Sequence, residues 1–95
     1  ERSPDIAFVQ YRYGMLLYLN GQPDKAEIAL RKAWNLEPEN IDYRFAIALL
    51  EKAKGEWAKV FSHCRELLEN DPENRQYQML LQEAQSELGL SGTGG

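Results

Sequence analysis

The residues best suited to chemistry are His63 and Cys64, adjacent in a chain that holds one histidine and one cysteine. A thiol nucleophile needs its base on the same face and within hydrogen-bond reach. Neighbours on a helix point about 100° apart and do not face each other. Cys64 also falls on an inward stripe with Val60, Phe61, Leu67 and Leu68, where a small thiol packs as a hydrophobe. One His and one Cys make no zinc set. The acid pairs Glu37 with Glu39 and Asp71 with Glu73 lack the cleft and the unequal environments of catalytic carboxylates. They sit in turns and read as solvated charge near helix N-termini. Gly92, Gly94 and Gly95 lie in a tail, without phosphate-loop spacing. The sequence therefore predicts no catalytic residue, no metal and no cofactor.

The elements that carry these residues belong to one domain of 95 residues, 43% hydrophobic, enough for a packed core and too apolar for disorder. Eleven basic residues face fifteen acidic ones, for a formal charge of -4. The bases are interspersed with acids, so there is no basic stripe for nucleic acid or for an anionic membrane surface. The longest apolar run, Met15 to Leu19, is far short of the roughly 18 residues that a membrane span needs. Cys64 has no internal disulfide partner, which leans toward a reducing, cytoplasmic setting. No signal peptide opens the sequence, and it starts at Glu1 rather than Met, as an excised or processed piece does.

Sliding the chain against itself by 34 residues brings Gly21, Gly55 and Gly89 into register. Pro38 then meets Pro72, Asn40 meets Asn74, Tyr43 meets Tyr77, Lys25 meets Lys59 and Leu16 meets Leu50. Glycine reaches the left-handed conformation that ends a helix, and proline interrupts one. Each unit thus reads as helix, Gly turn, helix, Pro turn. Helices are predicted over residues 4–20, 23–36, 41–54, 57–69 and 73–88. Ser3-Pro4 and Gln22-Pro23 open the first two, and Ala26, Ala29, Leu30, Ala33 and Trp34 give the second its three-and-four spacing. The Gly- and Ser-rich stretch 90–95 is predicted to be a flexible tail.

This pattern resembles the tetratricopeptide repeat. With Ala7 as first position, the first unit supplies the family's small residue as Gly14, the turn glycine as Gly21, small second-helix residues as Ala26 and Ala33, the bulky residue between them as Leu30, and the closing proline as Pro38. The second unit keeps Ala48, Gly55, Trp57 and Pro72, but Val60, Cys64 and Leu67 replace the usual Ala, bulky residue and Ala. Gln10 and Arg44 stand where the family's first-helix Trp is usual. The resemblance implies an all-α fold of about five helices, antiparallel helix-turn-helix repeats stacked as a right-handed α-solenoid. Its domain covers 1–89, with units at 7–40 and 41–74 and a terminal helix at 75–89. It implies a protein-interaction scaffold, the C-terminal end of a longer array, and not an enzyme. The groove such proteins use would be lined by Phe8, Tyr11, Met15 and Tyr18, by Asp42, Phe45, Leu49 and Lys52, and by Gln76, Met79, Glu83 and Ser86. Tyr11 and Met15 replace the Lys and Asn of carboxylate-clamping members, so an apolar segment or an amphipathic helix is the fitting ligand. Aromatic stripes at this spacing also suit a plain core.

The two ends differ. The last helix has Tyr77, Leu80, Leu81, Ala84 and Leu88 on one stripe and Gln78, Gln82, Glu83 and Gln85 opposite, as a terminal cap does. The first helix has almost no polar face. Val9, Tyr13 and Leu16 are therefore predicted to abut an upstream repeat, a second copy of the chain or a partner. Self-association through this helix is the alternative function, and an accessory domain of an enzyme is another.

Overall fold

The structure, a computed structural model, describes residues 4–90; the predicted Ser3 cap and most of the tail lie outside the described residues. Five helices follow one another: α1 (Pro4–Leu19), α2 (Pro23–Leu36), α3 (Ile41–Ala53), α4 (Trp57–Asn70) and α5 (Arg75–Glu87). The described chain has no strand, and the all-α class holds. Each helix packs on its sequence neighbours, with a smaller contact between α1 and α3. The body is accordingly elongated, 49 × 28 × 17 Å.

The 34-residue period recurs in the backbone. Gly21, Gly55 and Gly89 all have φ of 74–76°. Behind them the N–H groups of Gln22, Glu56 and Leu90 donate to the carbonyls of Leu17, Glu51 and Gln85. This is one helix-ending motif, built three times.

The Pro turns also repeat, with a correction to their expected chemistry. The caps are asparagines: the Asn40 side chain accepts from the N–H groups of Asp42 and Tyr43, and the Asn74 side chain accepts from that of Tyr77. The acids hold the asparagines in place. Asn40 Nδ2 donates to Glu37 at 3.3 Å and Asn74 Nδ2 donates to Asp71 at 3.2 Å. This is why α5 starts at Arg75 rather than at the predicted residue 73. The remaining helix starts and both ends of α2 fall where predicted, and the other C-terminal ends differ by one residue, within ordinary fraying.

The core runs along the stack. Leu30, Ile47, Leu50, Val60, Cys64 and Leu67 are fully buried, each stabilising by roughly 1.5–3 kcal/mol for an aliphatic side chain. Gly14 lets α1 and α2 close up, since a Cβ there would meet Leu30 Cγ at 2.6 Å. Tyr77, Leu80 and Ala84 of α5 are buried, while Leu88 at its end is exposed.

Candidate functional site

Every second helix returns the chain, so α1, α3 and α5 carry their period-related side chains on a common surface. There the structure brings together nine of the twelve residues proposed for the groove, Tyr11, Met15, Phe45, Leu49 and Met79 among them. One hollow of ≈ 290 Å³ is lined by Tyr11, Met15, Asp42, Phe45, Leu49 and Gln76. A second, of ≈ 260 Å³, is lined by Phe45, Leu49, Lys52, Gln76, Met79 and Glu83. Phe45, Leu49 and Gln76 belong to both, so the hollows adjoin across one aromatic and one aliphatic wall. Ring contacts tie the lining to buried tyrosines: Phe45 lies 5.0 Å from Tyr77, and Tyr11 lies 5.0 Å from Tyr43. Met79 is 64% exposed.

The other three proposed groove residues, Phe8, Tyr18 and Ser86, lie outside both linings. Tyr18 packs against the core cluster of Leu30, Ile47 and Leu50. Phe8 is exposed, 6.2 Å from Tyr11, with the Arg12 guanidinium over its ring. The surface is electrically mixed. Lys52 pairs with Glu83 at 3.0 Å across the second hollow, and Asp42 lines the first.

The edge residues Val9, Tyr13 and Leu16 are 60%, 55% and 56% exposed. Their period mates Tyr43, Ile47 and Leu50 are buried.

Cys64 is fully buried, and burial pushes its thiol up to about 11. His63 does not face it. The imidazole instead lies 5.7 Å from the Trp34 ring and tilted 57° to it, with Nε2 3.7 Å from Glu51 Oε1. Burial first, and then the charges of Arg44, Arg31 and Lys59, hold it down at about 4. Glu51 is the one charged side chain in the described core, 2% exposed, and burial raises its carboxyl. Arg31 reaches it at 3.6 Å. Sequence reasoning passed over this Arg31–Glu51–His63 set. Its signal was there: Glu51 lies four residues from Ile47, on the inward stripe, and its period mate is Leu17. Nearby, Glu27 holds Lys54 at 2.7 Å and Arg31 at 2.8 Å, so its carboxyl is lowered, first by Lys54 and then by Arg31.

No described helix is long and apolar enough to cross a membrane. Neither a protein-family model nor a curated protein sequence matches the chain.

Proposed function

We propose that the chain is a tetratricopeptide-like interaction module, its units stacked as a solenoid, which binds an apolar segment or amphipathic helix of another protein through the surface of α1, α3 and α5. The observation that carries this reading is the pair of adjoining hollows with Phe45 and Leu49 between them. Two side chains of one ligand, one on each side of that wall, would fix its register. Aromatic and Met side chains supply interface energy and adapt in shape. The raised thiol of Cys64 and its burial support a binding role over a nucleophilic one.

Selection of a displayed random-peptide library on the chain tests the proposal. The expected result is enrichment of sequences with two spaced apolar or aromatic residues, whose binding is lost in Met79→Glu and kept in Lys25→Glu. No enrichment, or peptides indifferent to Met79→Glu, would contradict it.

A further inference from the structure

One position of the groove surface is filled three different ways. Phe8, Asp42 and Gln76 are period mates on α1, α3 and α5. Asp42 brings a carboxylate to the first hollow, three residues before Phe45 and so on the same face of α3. An acid in the first turn of a helix is ordinary, but the helix start does not require one in this frame. The helix α5 opens on the same Asn cap, carries Gln76 at that position and has no acid in its first turn. Asp42 is exposed and has no ion pair among the described residues. The acid of the second hollow differs, because Lys52 neutralises Glu83 at 3.0 Å. The first hollow therefore holds one uncompensated charge, beside Tyr11, Met15 and Phe45. Its field reaches the two buried tyrosines. Burial first, and Asp42 among the charges after it, raise the hydroxyls of Tyr43 and Tyr77.

The rings of this hollow are also unaccompanied. Phe8 and Phe61 each carry a guanidinium from four residues on, Arg12 at 5.6 Å and Arg65 at 5.8 Å. Four residues on from Phe45 stands Leu49, and no described guanidinium lies over Phe45 or Tyr11. Elsewhere the chain builds the complete arrangement. Arg44 lies 5.5 Å over Trp34 and pairs with Glu66, so ring, guanidinium and carboxylate stand together. The first hollow has the ring and the carboxylate without the guanidinium.

We infer that the first hollow is a guanidinium seat: the segment bound in the groove carries an arginine beside the apolar residue that enters this hollow, laid against Phe45 and Tyr11 and donating to Asp42. This rests on the binding of a protein segment proposed above, and it gives that segment a direction. Its arginine end lies toward α1, and its purely apolar end lies at the second hollow, between α3 and α5. A guanidinium suits the seat better than an ammonium. It is planar and weakly hydrated, stacks on rings, and forks onto a carboxylate.

The test pairs N-acetylarginine amide with N-acetylcitrulline amide, which is close in shape and uncharged. Each is titrated into the labelled chain and followed by NMR. The arginine compound should move the Met15, Tyr11 and Phe45 signals at millimolar concentration, the citrulline compound should move them several-fold less, and Met79 should stay still. Asp42→Asn should remove the difference between the two compounds, and Lys25→Glu should leave it. Asp42 is exposed, so the fold is kept, and melting curves verify it. Within a peptide selected on the groove, replacing arginine by citrulline should weaken binding roughly fivefold to the parent and less than about twofold to Asp42→Asn. Equal shifts with both compounds, an Asp42→Asn chain that still prefers arginine, or selected peptides without arginine would each overturn the inference. Those results leave the groove standing, because selection of apolar pairs sensitive to Met79→Glu is a separate result. A library that yields no peptide removes the groove and the inference with it.

Discussion

The α1 edge and the outer face of α5 are the two ends of one repeating frame, and they are chemically opposite. Val9, Tyr13 and Leu16 have the apolar character of Tyr43, Ile47 and Leu50, which are buried, yet they stand exposed. On α5 the position of Gly14 and Ala48 is taken by Gln82. Gly14 and Ala48 are buried where a second helix closes up on the first, and Gln82 is exposed. A long polar side chain there suits water and not a closely packed helix. Register alone therefore does not make an interface. The edge whose side chains copy the interior is the sticky one, and the edge that breaks the copy is solvated.

The sharpest way to break this comparison is truncation at equivalent sites. Leu50→Ala should cost ~2–5 kcal/mol by loss of buried area and creation of a cavity, whereas Leu16→Ala should stay within ~0.5 kcal/mol. Urea unfolding of both variants checks this; equal costs would mean that α1 is covered in the folded chain. The next effect contrasts the inner junction, which buries His63, with the edge, which has Ala29 in its place. The unfolded chain takes a proton near pH 6.5 that folded His63 takes only at about 4, so stability falls as the pH drops through that window. Glu51, raised by burial, acts in the opposite sense, so the informative quantity is a difference. Between pH 7 and pH 5 the parent should lose ~2 kcal/mol more than His63→Leu, read by urea unfolding at both pH values. The smallest effect is at the close approach. Gly14→Ala must displace Leu30, an overpacking cost of ~1–3 kcal/mol partly offset by ~1 kcal/mol of helix propensity. The melting temperature should drop for Gly14→Ala, and for Gln82→Ala it should hold or rise slightly.

Much of the fold was legible because its punctuation is backbone chemistry. Gly21, Gly55 and Gly89 require positive φ, and Pro38 and Pro72 interrupt helices, so the helix count followed from spacing alone. The start of α5 was misplaced because Pro72 and Glu73 look like a helix opening, while the Asn74 cap, already spelled out at Asn40, sets the true first turn. The surface of α1, α3 and α5 was legible as a face, since Tyr11, Met15, Phe45, Leu49 and Met79 share one position class. Its division into two hollows was not, because that depends on how Phe45 and Leu49 stand between three helices. The Arg31–Glu51–His63 set escaped for a different reason: charged residues read as surface, and only packing shows that Glu51 is enclosed. Trp34 was legible as an inward residue, but its seat on the next helix pair is a tertiary contact that no local pattern encodes.

The central claim is that the α1–α3–α5 surface binds a protein segment. Its most direct test is a backbone and methyl NMR map of the labelled chain titrated with a peptide selected on it. The account predicts shifts concentrated at Tyr11, Met15, Phe45, Leu49 and Met79, with α4 and the outer face of α5 silent. Shifts centred on α4, or spread evenly over the chain, would contradict it.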